Sequence, residues 1–164
     1  MAKPPKPRFS TNGVVPSSKL SALADLAEYA ANPPACIVTR VAAQSVTSAA
    51  PNTIVFDTEV FDNNEFFTAS STTMTANDAG LYMLTFWFDM AANTTGMRSA
   101  EILQNGTIVP SFAVPPPSSF SSRISLAAMT VAAVGDTWTC VAFQNSGSAL
   151  NTTARFTAVR VSGT

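Results

Sequence analysis

An all-β domain built from two packed antiparallel sheets is predicted by three features of the sequence. These are one long alternating run, a series of short β-branched and aromatic runs from Ala35 onward, and a strong hairpin signal at Asn105-Gly106. In the long run, Leu81 to Met90, the residues Tyr82, Leu84, Phe86, Phe88 and Met90 share one face, as expected of a core strand. Met83, Thr85, Trp87 and Asp89 share the other. An aromatic on the side expected to meet water predicts a cover for that side, and a subunit partner is the simplest one.

Along the chain, residues 1–16 carry Pro4, Pro5, Pro7, Pro16 and Gly13 with little periodicity, so an extended basic leader is expected there. A short helix and linker should follow over 17–34. Ser17 or Ser18 can cap the helix, Leu20, Leu23, Ala27 and Ala30 recur at helical spacing, and Asn32-Pro33-Pro34 stops it. That stripe is narrow, so the helix should need a partner: another subunit, its own copies around a symmetry axis, or the base of the domain. Residues 35–164 then form the β domain. Its expected strands are Cys36–Val41, Thr53–Phe56, Glu65–Ala69, Leu81–Met90, Arg98–Gln104, Thr107–Val114, Arg123–Val131, Thr137–Gln144 and Ala154–Val161. Turns are expected at Asn63-Asn64, Asn77 to Gly80, Asn105-Gly106, Gly135-Asp136 and Asn145 to Gly147.

Composition narrows the function. The 164-residue chain has no histidine, which removes the commonest general base and every Ser-His or Cys-His pair, and no catalytic residue is assigned. Charged residues make up 12%, against about a quarter in ordinary soluble domains, so an assembled protein is expected. Lys3, Lys6, Arg8 and Lys19 occupy the first nineteen residues without an acid among them, which leaves a basic tail on an acidic body. No secretory or membrane-spanning run is visible, and synthesis in a cytosol is expected. The sequons at Asn93, Asn105 and Asn151 are then read as turn asparagines, and Cys36 and Cys140 as small buried side chains rather than a disulfide.

The order Gly80, Tyr82, Gly135-Asp136, the alternating Trp138, Cys140 and Ala142, and a closing strand through Phe156 to Val161 resembles the trimeric jelly roll of the complement globular heads and the tumour necrosis factor ligands. Phe56-Asp57, Phe61-Asp62-Asn63 and Phe66-Phe67-Thr68 fall where that family has paired phenylalanine segments, with Asn64 in place of an expected glycine. Asparagine tolerates positive φ, so it can serve the same turn. A second set of pieces, Val15 to Leu20, Pro33-Pro34-Ala35-Cys36, Ala43-Gln44-Ser45 and Thr53 to Asp57, resembles small tail proteins of phages that infect actinobacteria. That resemblance implies a non-enzymatic virion protein, a homotrimer attached through its first thirty-odd residues.

Other constellations are weaker. Asp57, Glu59, Asp62 and Glu65 form the densest acidic group, but their spacing fits no calcium loop, and with Phe56, Phe61 and Phe66 anchored in the core they read as a solvated rim; no metal or other cofactor is assigned. Asp89 and Glu101 are the carboxylates considered for glycoside chemistry, although outward strand positions explain both. Phe120, set among Ser118, Ser119, Ser121 and Ser122 after Pro115-Pro116-Pro117, is the loop aromatic suited to stacking on a glycan. The arginines of the body occur singly, so no nucleic-acid partner is expected.

The expected function is a structural component of a tailed-phage virion, made in the host cytoplasm. It would be a homotrimeric knob with Met83, Thr85 or Trp87 near the three-fold axis. Lys3, Lys6, Arg8, Leu20 and Leu23 would anchor it to other virion subunits, ordered by those neighbours rather than by its own domain. A minor tail or tail-tip position with contact to a host-surface glycan comes first. The alternatives are a capsid decoration or head-fibre protein and a free carbohydrate-binding module.

Overall fold

A computed structural model describes residues 15–116 and 119–163. The extended leader assigned to residues 1–16 therefore lies almost wholly outside the described residues, with Lys3, Lys6 and Arg8. The described part opens with helix α1 (Ser17–Ala31), ended by the Pro33-Pro34 pair. Ten strands follow: β1 (Ala35–Val46), β2 (Asn52–Thr53), β3 (Thr58–Asp62), β4 (Thr73–Thr75), β5 (Gly80–Met90), β6 (Arg98–Gln104), β7 (Thr107–Val114), β8 (Ser122–Ala132), β9 (Thr137–Gln144) and β10 (Leu150–Ser162).

The strands form two antiparallel sheets. The first has the order β3-β1-β10-β5-β8; the second has the order β2-β9-β6-β7, with β4 also paired to β9. The alternation read from the sequence fixes the register of the centre. Tyr82, Leu84, Phe86, Phe88 and Met90 are wholly buried from β5, and Trp138, Cys140 and Phe156 are wholly buried from β9 and β10. Trp138 meets Tyr82 with ring centroids 4.9 Å apart, and Phe66 stands edge-on to Tyr82 at 6.0 Å. Tilted and edge-on pairs of this kind add to the stabilisation from area burial alone. Cys36 and Cys140 are buried free thiols.

Turn chemistry largely follows expectation. Asn105 and Gly106 have φ of 51° and 80°, the left-handed pair that a two-residue hairpin between β6 and β7 requires. Asp136 pins the neighbouring β8–β9 turn, accepting hydrogen bonds from Asn105 Nδ2, the Ala133 amide and Gln104 Nε2 at 2.8, 2.9 and 3.0 Å.

The segment 57–78 departs from the reading. Glu65–Ala69 is not a strand; the true strands here are β3 and β4, which were missed. Phe66 and Phe67 both turn inward, so the run has no alternation of burial, and only an isolated bridge from Phe67 to Met74 joins it to the sheet. Phe61 does not anchor the core. It sits on β3 opposite Ile37 and is 43% exposed on the outer side of the first sheet. The positive φ expected at Asn64 belongs instead to Glu65, at 56°. Asn64 is buried and donates from Nδ2 to Asp78 Oδ2 at 3.2 Å. Asn93 does form a turn, accepting from the Thr95 amide at 2.9 Å, but Asn151 lies within β10 opposite Ser45.

Candidate interaction surface

The outer side of the first sheet carries the residues singled out from the sequence. Reading across paired strands, one row runs Ala35, Val159, Met83, Met129, the next Phe61, Ile37, Thr157, Thr85, Ala127, and the next Thr39, Arg155, Trp87, Ser125. Met83, Thr85 and Trp87 thus stand on one face, in successive rows. Met83 is 44% exposed, Met129 57%, Val131 60% and Val161 55%, so the half of this face nearest the β5 N-terminus is an open apolar patch. Uncovered groups of large apolar side chains on this scale mark interaction surfaces.

The other half is polar. Arg123 donates to Asp89 Oδ2 at 2.6 Å while its guanidinium lies 5.4 Å from the centre of the Trp87 ring. Burial of the Asp89 carboxyl opposes ionisation, but hydrogen bonds from Ser121 and Arg123 and the charge of Arg123 outweigh it, and its pKa is lowered. Glu101, its proposed companion, alternates with the buried Ala100 and Ile102 on β6 and faces outward from the second sheet. The two carboxylates therefore lie on opposite sides of the sandwich and cannot flank one scissile bond.

Two of the four acids at 57–65 are held by backbone amides, while Glu59 and Glu65 are exposed. Asp57 accepts from the amides of Val41 and Ala42 at 3.0 Å each, where β1 bulges against β10, and pairs with Arg40 at 3.4 Å. Burial raises its pKa, yet those two amides, Thr58 and Arg40 bring it below the ordinary value. Asp62 accepts from the amides of Asn64 and Phe67 at 3.0 and 2.9 Å. Among the described residues no group of acids, cysteines or histidines could hold a metal. Phe120 is 74% exposed in the β7–β8 loop, placed to meet a partner but not gathered with other aromatics.

Helix α1 corrects the expectation about how it is held. The stripe Leu20, Leu23, Ala27, Ala30 faces solvent, with Leu20 55% and Leu23 45% exposed. The helix docks by the face bearing Ala22, Leu26 and above all Tyr29, which is buried. Tyr29 donates to Asp78 Oδ2 at 3.3 Å and accepts from Arg160 Nη1, whose guanidinium also lies 5.3 Å from the centre of the Tyr29 ring. Arg160 in turn donates from Nε and Nη2 to the Ala79 carbonyl at 3.0 and 2.6 Å, and Tyr82 donates to the Asp78 carbonyl at 2.7 Å. The last turn of the helix is therefore ordered by its own domain.

Gly80 serves that junction. Its φ is unremarkable, but a Cβ would overlap Arg160 Nε and the Ser162 carbonyl oxygen. A cavity of about 210 Å³ remains beside the contact, lined by Leu26, Tyr29, Ala30, Pro33, Arg160 and Val161 among others.

Two residues of this architecture are not distinguished in the sequence, where the arginines of the body simply occur singly. Arg160 is one. Arg98 is the other, wholly buried and donating to the carbonyls of Asn93, Thr95 and Met97 at 3.1, 3.0 and 3.0 Å, with its pKa lowered by burial. The signal was present in the alternation, since both occupy inward positions of strands whose other inward residues are mostly apolar, Thr152 of β10 being an exception.

No family model and no curated protein matches the sequence. Solved structures do match in fold. The globular domain of zebrafish complement 1qA protein superposes with a TM-score of 0.65 at 19% identity, over 80% of this chain and 99% of that one. Eiger TNF from S. frugiperda gives 0.60 at 11% identity over 80% and 95%, and murine APRIL gives 0.55 at 13% identity over 74% and 97%. The sandwich is thus a jelly roll of the complement C1q and tumour necrosis factor type.

Proposed function

We propose that this chain is a non-enzymatic structural subunit of a tailed-phage virion: a homotrimeric jelly-roll knob fastened through its N-terminal region, most consistent with a minor tail or tail-tip position that meets the host surface. The observation that carries this reading is that two separated apolar surfaces are among those the described residues leave uncovered. One is the outer face of the first sheet, around Met83, Met129, Val131 and Val161; the other is the helix stripe of Leu20 and Leu23. A protein acting alone in solution has use for neither. The sheet face suits copies of the same chain, as the likeness to trimeric jelly rolls implies. The helix stripe and the basic leader suit a different subunit. The phage-tail likeness of Pro33 to Cys36 and Ala43 to Ser45 supports the particle as the setting.

Gold-labelled antibody against the knob, applied to virions, tests the reading. Label at the distal tail is the expected result. Label over the head would move the protein to a capsid decoration role, and purified particles without label would overturn the virion assignment. Deleting residues 1–34 should abolish incorporation; a free carbohydrate-binding module would instead keep its binding to host cell-wall glycan without them.

A further inference from the structure

Resting on the trimer reading above, we propose that the assembled knob holds a tetrahedral oxyanion, phosphate or sulfate, on its three-fold axis through one Arg155 guanidinium from each subunit. Arg155 lies on β10, the middle strand of the five-stranded sheet, half-buried on the outer face, directly between Thr39 and Trp87. Trp87 is one of the three residues, with Met83 and Thr85, that the trimer reading sets near the axis, and Arg155 is its paired neighbour on the central strand.

The charge count on this face makes the site. Across β1, β10, β5 and β8 the outward charged side chains are Asp89, Arg123 and Arg155. Asp89 is taken by Arg123 at 2.6 Å. Arg155 has no ion pair among the described residues, and the side chains facing it across the strands, Thr39 and Trp87, carry no charge. Covering the face with two further copies would withdraw this cation from water and bring three like charges together, which is unfavourable unless a counter-charge is present. A tetrahedral oxyanion has a three-fold axis of its own, so three of its oxygens can each accept from an equivalent guanidinium, the geometry in which arginine binds oxyanions most strongly. One chain alone has only one of the three donors. The site is incomplete without its partners.

The test uses the full chain and its Arg155→Gln and Arg155→Lys variants, with thermal unfolding and sedimentation measured in chloride and in phosphate at matched ionic strength. In chloride, Arg155→Gln is expected to remain trimeric and to melt above wild type, because the repulsion is gone. Millimolar phosphate should raise the wild-type midpoint by several degrees, Arg155→Lys by less, and Arg155→Gln not at all. Sulfate should act as phosphate does. A wild-type trimer whose midpoint ignores phosphate, or an Arg155→Gln variant that responds equally, overturns the anion site alone. An Arg155→Gln variant that falls apart in chloride overturns it by assigning Arg155 to a direct contact with a neighbour's carboxylate. A monomeric wild type removes the trimer reading and this site with it.

Discussion

On the outer side of the first sheet the row across β10, β5 and β8 reads Val159, Met83, Met129, whereas on the second sheet the row across β7, β6 and β9 reads Ser111, Glu101, Val141. Both rows sit behind the same core, yet their exposed chemistry differs. Met83 and Met129 are about half exposed, while Val141, the apolar member of the second row, is 7% exposed, with β2 paired beside it. Although Phe112 of the edge strand β7 is exposed in the inward phase, opposite the buried Ala100, the second sheet finishes its outer face within the chain apart from Ile108 of that strand. The first sheet does not. Inward rows report the core that any sandwich needs, and outward rows report what the molecule meets afterwards.

The largest expected effect removes the element both faces share. Phe86→Ala empties a wholly buried site between the sheets and should cost about 3–5 kcal/mol in chemical denaturation, enough to threaten folding. A matched pair of charges then separates the two faces. Trp87→Asp on the first sheet should convert a trimer to a folded monomer in sedimentation, by several kcal/mol of desolvation, about 3–5, if the carboxylate must be buried unpaired. Thr139→Asp, outward on β9 of the second sheet, should leave the mass unchanged. Equal dissociation by both variants would erase the distinction.

The junction of helix and sandwich gives smaller effects. Gly80→Ala forces a methyl against Arg160 and a backbone carbonyl, and a loss of about 1–3 kcal/mol is expected in thermal unfolding. Tyr29→Phe removes hydrogen bonds to Asp78 and Arg160 but keeps the ring, so about 1–2 kcal/mol should be lost locally. Amide exchange in helix α1 should quicken while the sandwich strands stay protected. Uniform acceleration across the molecule would mean that the helix is integral to the fold rather than docked on it.

The smallest effect is one of pH. Hydrogen bonds from Asn105, the Ala133 amide and Gln104 hold the Asp136 pKa below its ordinary value, and Asp57 and Asp89 are lowered as well. A carboxylate depressed in the folded state contributes its stability above its unfolded pKa of about 3.9 and loses it as pH falls through the folded value. The midpoint should therefore hold steady near neutrality and fall below about pH 4, and Asp136→Asn should flatten part of that fall.

Where burial alternates residue by residue, the strand was legible: β5, β9 and β10 were placed with their inward side chains, and Asn105-Gly106 marked its hairpin. Segment 57–78 was not legible, because Phe66 and Phe67 plug the core from irregular backbone and defeat a two-residue period. The helix was found, but the face by which it meets its own domain was not. Leucines at helical spacing outweighed a single tyrosine, although Tyr29 is the one side chain there able to bury a ring and still satisfy a hydroxyl against Asp78 and Arg160. Neither Arg98 nor Arg160 is marked as buried by any local motif, although both stand in the inward phase of their strands. In each, loop carbonyls replace water around the guanidinium, an arrangement that only the folded chain creates.

Whether the outer face of the first sheet is covered by copies of the chain is tested most directly by the sedimentation-equilibrium mass of the wild-type protein across a dilution series. Three times the 17.1 kDa chain, held to low concentration, is the expected mass. A mass of 17.1 kDa at every concentration would contradict it.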